Sequence, residues 1–179
     1  MAQSKHKIEE SYDFIQIKPI GIVKNQNRKT NWEPELQALN WQEKTALMSK
    51  QRKSVSEIII SSEFEDMLTG TEEFSHLLVL YWAHLVPGEK SKASIIYPLG
   101  DSGNFPPVGV FATHSPARPN SILVTAVRLL ERKGNILKVT GLDALDGSPV
   151  LDIKTHVPEQ ASEEVKTPDW YKKMRQEIK

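Results

Sequence analysis

The chain has 179 residues, 39% of them hydrophobic, and its 23 basic and 23 acidic residues leave a formal net charge of zero. That length supports one domain with a substantial core and is too short for two. The absence of cysteine excludes disulfides, thiolate metal sites and a cysteine nucleophile, and it fits a reducing compartment.

Met1-Ala2-Gln3-Ser4-Lys5-His6-Lys7 has no apolar stretch behind its charges, which argues against a secretory signal. The longest apolar run, residues 77–86, is too short to span a bilayer and contains His84. These features predict a soluble, cytoplasmic protein without membrane partners. Zero net charge lacks the positive excess common among proteins that bind nucleic acid through counterion release. An RNA partner therefore requires local basic clusters to gather on one face. Lys50-Gln51-Arg52-Lys53, residues 128–133 and Lys172-Lys173-Met174-Arg175 are such clusters, although runs of this kind are more often solvated faces.

In chain order, residues 1–13 are polar and read as a disordered tail. Residues 14–23 alternate in character around Pro19, which predicts a strand with a bulge or an edge position. Residues 24–34 are turn-rich. Residues 35–54 contain strong helix formers with imperfect apolar spacing, and predict a helix. A β-branched strand follows at 55–60, then a short helix at 62–68 whose Ser62 and Glu65 form a capping-box pattern. Residues 77–86 are apolar on both faces, as in a strand covered on its second side by a helix or another subunit.

Further strands are predicted at 93–97, 108–113, 122–130, 136–142 and 150–157, with Arg132-Lys133-Gly134-Asn135 as a hairpin turn. Thr167-Pro168-Asp169 opens a short C-terminal helix. The pattern predicts a mostly β fold: a small closed β-barrel of about seven strands with a helical insertion. Residues 14–158 form the predicted domain and 159–179 an extension. No Gly-x-Gly-x-x-Gly or alternating βαβ rhythm is present.

Chemistry concentrates between Asp101 and Asp152. In His114-Ser115-Pro116-Ala117-Arg118-Pro119-Asn120, two prolines bracket Arg118 and hold an imidazole, a guanidinium and a carboxamide along a stiff path. The same pattern also serves a plain proline-rich turn. Asp146-Gly147 is a turn signal in itself, whereas Asp143 at a strand end is harder to explain by turn chemistry. Asp152, Lys154 and His156 share one face of their strand, opposite Leu151, Ile153 and Val157, and solvent exposure accounts for them. The histidines show no ligand spacing, so no metal is expected. Ser115 lacks a nucleophile elbow.

The run Gly109-Val110-Phe111-Ala112-Thr113-His114-Ser115-Pro116-Ala117-Arg118-Pro119-Asn120-Ser121-Ile122 resembles the signature G-V-F-A-T-R-S-P-x-R-P-N-P-I-G. Leu142-Asp143-Ala144-Leu145-Asp146-Gly147-Ser148-Pro149-Val150-Leu151-Asp152-Ile153-Lys154 resembles L-D-L-x-D-G-T-P-V-x-D-I-K. Both belong to the TsaA-like, or TrmO-type, S-adenosylmethionine-dependent methyltransferases. Ile17-Lys18-Pro19-Ile20-Gly21 and Phe74-Ser75-His76-Leu77 add weaker matches, so the resemblance runs over residues 14–158 with a weak stretch at 24–60.

The resemblance implies a homodimeric β-barrel methyltransferase that binds S-adenosyl-L-methionine near the subunit interface. It also implies a tRNA substrate, methylated on the exocyclic amine of threonylcarbamoyladenosine beside the anticodon. Carried over, the cofactor-binding set is Ala83, His84, His114, Val124, Thr140, Gly141, Leu142 and Asp143; Arg118, Asn120 and Asp146 are the catalytic candidates. Departures are specific: His114 stands where most members have arginine, Ser121 where they have proline, and Leu123 where they have glycine. The Pro-x-Gln segment expected after the first strand has no counterpart in residues 24–57, which instead carry an insertion with Trp32 and Trp41. These departures leave two alternatives open, a methyltransferase for a small molecule and a non-catalytic S-adenosylmethionine-binding regulatory protein.

Overall fold

The computed structural model describes residues 14–28, 33–89, 94–101, 103–157 and 166–177. The predicted tail at 1–13 and Trp32 lie outside the described residues. Six antiparallel strands close into a barrel: β1 (Gly21–Lys24), β2 (Val55–Ile60), β3 (His76–Trp82), β6 (Ile122–Lys133), β7 (Ile136–Thr140) and β8 (Pro149–Thr155). Their order around the ring is β1-β2-β7-β6-β3-β8. Side chains alternate across each strand, so Val23, Ile58, Ile60, Leu77, Val79, Tyr81, Val127, Leu137, Val139 and Val150 fill the interior. Gly21 permits closure between β1 and its neighbours: a Cβ there would stand 2.4 Å from the Ile59 carbonyl oxygen.

The mostly β barrel is borne out with six strands in the ring rather than seven. The predicted strands at 93–97 and 108–113 shrink to β4 (Ile95–Ile96) and β5 (Val108–Gly109), a separate two-stranded sheet. After Gly109 the chain coils into a 3-10 turn at Val110–Ala112. The first predicted strand also shortens. Phe14, Ile15 and Ile17 are exposed, and regular pairing begins at Gly21. The apolar run at 77–86 leaves the sheet at Trp82, after which Ala83–Val86 turn, the Val86 N–H donating to the Ala83 carbonyl at 3.3 Å.

The predicted helix at 35–54 divides into α1 (Pro34–Gln37) and α2 (Trp41–Lys53). Asn40 causes the division. Its side chain accepts from the Glu43 N–H at 3.0 Å, and Glu43 accepts from the Asn40 N–H at 2.9 Å, a complete capping box that starts a new helix. Only Trp41 and Thr45 of α2 are buried, which explains the poor apolar spacing. Ser62–Leu68 is a 3-10 helix without the predicted Ser62 cap. The 132–135 turn is a hairpin, with Gly134 at φ 59°. The C-terminal helix α3 covers Asp169–Glu177, and the Pro168 carbonyl accepts its first N–H bonds.

β8 corrects one further expectation. Leu80 pairs with Asp152 and Tyr81 with Val150, so Leu151 is bulged out of register. Strict alternation fails there, and both Val150 and Ile153 reach the core. Asp152 and Lys154 stay outward as an ion pair at 2.6 Å.

Candidate functional site

Because the strands run antiparallel, the ends of β1, β3 and β7 and the starts of β2, β6 and β8 meet at one mouth of the barrel. Both long motifs converge there. The loop after β5 and the start of β6 border an open cleft of about 260 Å³, lined by Phe111, Ala112, Thr113, His114, Arg118, Ile122, Leu123 and Val124. The Arg118 Nε donates to the Ser115 carbonyl at 2.9 Å, and its Nη2 donates to the Thr113 carbonyl at 2.7 Å. Arg118 thus braces its own loop while its remaining N–H bonds stay available to a ligand. Ser121 ends the loop at φ 37°, a left-handed conformation costly outside glycine. His114 and Asn120 are exposed beside it.

On the inner side of β6 lies a second group. Asp143 Oδ1 accepts from the Thr125 hydroxyl and from the Tyr81 hydroxyl, the latter at 2.8 Å, and Arg52 from α2 stands 3.9 Å from Oδ2. Burial, and then the Asp143 charge, push the Tyr81 phenol far above its ordinary value, so it remains a donor. The Arg52 carbonyl accepts from the Gly141 N–H at 2.8 Å, clamping the end of α2 to this loop. Asp146 accepts from the Asn25 N–H at 3.1 Å and faces the Arg28 guanidinium at 3.8 Å. The Asn25 amide reaches on to Ser56 and to the Ala144 carbonyl. His84 sits in the turn after β3, with Nδ1 3.3 Å from the Ser148 hydroxyl. Burial lowers its pKa, partly opposed by the Asp146 charge.

The structure therefore brings His114, Arg118 and Val124 together at the cleft, and His84, Asp143 and Asp146 at the barrel mouth. β6 divides them: Val124 points outward and Thr125 inward. Ala83 joins the two regions, its N–H donating to the Ser121 carbonyl at 3.0 Å. Thr140 and Gly141 are half-buried at the end of β7. The Leu142 side chain is fully buried in the core, which leaves only its backbone to meet a ligand. Tyr81, Thr125, Arg52 and Ser148 escaped the sequence reading, although Tyr81 falls in the inward alternation of Leu77 and Val79.

Beside the cleft, the outer face of β3 and β6 is apolar. Leu80 pairs with Val124 and Trp82 with Ile122, and Trp82, Val124 and Phe111 are exposed by 38%, 48% and 78%. Among the described residues there is no cluster of three histidine or acidic side chains suited to a metal ion, and no helix long and apolar enough to cross a membrane.

Residues 41–162 match the family described as the tRNA-methyltransferase O N-terminal domain. An S-adenosyl-L-methionine-binding protein of Archaeoglobus fulgidus is 39% identical over 143 residues, covering 80% of this chain and 90% of the relative. A probable S-adenosyl-L-methionine-binding protein of the same organism is 38% identical over 80% of this chain, which spans only 34% of that relative. The mouse tRNA (adenine(37)-N6)-methyltransferase is 38% identical over 98 residues, 55% of this chain and 22% of its own length. A crystal structure of TrmO superposes with a TM-score of 0.62 at 24% identity, over 87% of this chain and 64% of that one, and supports the fold. The signature residues, the six-stranded barrel that presents them and the match across residues 41–162 place this chain in the tRNA-methyltransferase O N-terminal domain family.

Proposed function

We propose that the chain is a cytoplasmic S-adenosyl-L-methionine-dependent N-methyltransferase acting on tRNA, with the exocyclic amine of threonylcarbamoyladenosine as acceptor. The observation that carries this reading is the cleft itself. It joins a fixed guanidinium and an imidazole to an apolar wall, as a charged amino acid fused to a nucleoside requires. The names of the relatives supply the cofactor and tRNA classes. The methyltransferase domain would then be residues 14–158, with 159–179 as an extension.

The donor set suits such a cofactor. Arg118 has N–H bonds left for its carboxylate, and Phe111, Leu123 and Val124 offer apolar surface to its base and thioether. Ala83 and the 140–143 backbone, with Asp143, offer acceptors for amino and ribose groups. When bound, S-adenosyl-L-methionine supplies an electrophilic methyl on a sulfonium centre. The work left to the chain is to align the acceptor nitrogen in line with that methyl and to exclude water. Arg118 and Asn120 orient the acceptor base. Asp146, held by Asn25 and Arg28, fixes the loop that faces it. The cleft is open beside the exposed β3–β6 face, and a second copy of the chain laid on that face would close it. Homodimerisation thereby completes the site.

Calorimetric titration with S-adenosyl-L-methionine is expected to show one site per chain; no heat at millimolar cofactor overturns the reading. Nucleoside analysis of tRNA from a deletion strain is expected to lack methylated threonylcarbamoyladenosine. Unchanged nucleosides together with retained cofactor binding would turn the reading to a small-molecule substrate or a regulatory role.

A further inference from the structure

We infer that His84 accepts the proton that leaves the acceptor nitrogen during methyl transfer, with Ser148 as its positioning residue; this rests on the methyltransferase reading above. A nitrogen conjugated to an adenine ring and a carbamoyl group is weakly nucleophilic and must lose its hydrogen to react. Three ionisable groups at the barrel mouth are poorly suited to take it. Tyr81 holds its own proton in a hydrogen bond to Asp143. Asp143 receives two hydroxyls on Oδ1 and faces Arg52 with Oδ2. Asp146 is occupied by the Asn25 N–H and by Arg28. Both carboxylates are thus already engaged by donors and guanidinium groups of the fold.

His84 differs in geometry. Its Nδ1 meets the Ser148 hydroxyl, and among the described residues no hydrogen bond engages Nε2. Nε2 lies beside Gly147, where even a built Cβ would only just touch it at 3.7 Å. The Ala83–Ser121 hydrogen bond ties this turn to the loop bearing Arg118 and Asn120. The charged group facing the ring is Asp146, from the loop before β8.

With Nδ1–H donating to Ser148, the lone pair sits on Nε2, and Ser148 still accepts after the ring is protonated. The acceptor nitrogen forms its bond to the methyl carbon as the carbon–sulfur pair leaves with sulfur. The N–H proton passes to Nε2, and its bonding pair stays on nitrogen. The proton then returns to solvent. Partial burial lowers the pKa of the ring, opposed in part by the Asp146 charge, and so favours its neutral form. The rate should therefore rise with pH through a value below the ordinary histidine pKa of about 6.5 and then level off.

Two measurements test this. Nitrogen-15 NMR of the cofactor-free protein should find His84 as the Nδ1–H tautomer; an Nε2–H tautomer overturns the inference, whatever the substrate. His84→Gln should lower kcat by about 10²- to 10⁴-fold and abolish the acid limb of the pH–rate profile. A wild-type rate with the acid limb retained overturns it. Ser148→Ala should lower kcat at constant KM and displace the acid limb, a readout that survives if His84→Gln fails to fold. If the wild-type protein transfers no methyl group to tRNA, the substrate reading has failed, and the tautomer still decides the role of His84.

Discussion

Asp143 gathers two hydroxyls and a guanidinium around one carboxylate, and two of those partners lie 62 and 18 residues away in sequence. Asp143→Ala would take the carboxylate acceptor from the hydroxyl of Tyr81, a residue 2% exposed, and leave it only the Thr125 hydroxyl. The expected loss is about 1–3 kcal/mol of stability, measured by urea unfolding, because buried donors that lose their acceptor keep their desolvation cost. Asp143→Asn keeps an acceptor oxygen and should lose about half as much. Asp143 was legible as something other than a turn residue because it follows a strand. Its partners were not, since contacts formed by ring closure leave no local pattern. Arg118 shows the converse. Its bracketing prolines marked it as fixed, and the structure adds that its own loop's carbonyls fix it. Leu142 belonged to the signature yet serves the core, a reminder that a motif mixes residues that pack with residues that bind.

α2 lies within the stretch, residues 24–57, where the family resemblance led one to expect a Pro-x-Gln segment. It holds the barrel mouth through Arg52 and the segment between β4 and β5 through Lys44, which donates to the Leu99 carbonyl at 3.3 Å, and through Trp41, which meets Phe105 edge-on at 6.1 Å. Asn40→Ala removes its capping box and should cost about 1 kcal/mol. In a domain of this size that lowers Tm by about 2–4 °C in calorimetry. Helix formers in 35–54 announced the element but not its break, because the break depends on the Asn40–Glu43 exchange rather than on propensity. Predicted strands failed where proline and glycine crowd the chain. Pro98, Pro106, Pro107 and Gly109 leave β4 and β5 two residues each. Where β-branched residues dominate and no proline or glycine intervenes, as in Val55–Ile60, sequence and structure agree to the residue.

At the scale of the molecule, the exposed apolar face of β3 and β6 lies beside the cleft. Placing Glu at Leu80 and Val124 together puts two charges on the proposed contact without touching the inward core. Sedimentation is expected to show a dimer for the wild-type chain and a monomer for the double variant; a wild-type monomer would sink the proposed assembly. A closed mostly β fold was readable from strand spacing. The number of strands in the ring was not, because spacing cannot tell a barrel stave from a strand pair beside it.

The ring closes where Gly21 and Ile22 meet Pro149 and Val150. Just beyond that seam, Asn25 binds Asp146 and Ala144 across 121 and 119 residues of chain. Contacts of such long range carry the largest loop-closure cost and form late in folding. The mouth that holds His84, Asp143 and Asp146 is therefore expected to be completed when this seam closes. A chain still awaiting its first strand has the motifs but no site, so binding competence and completed folding arrive together.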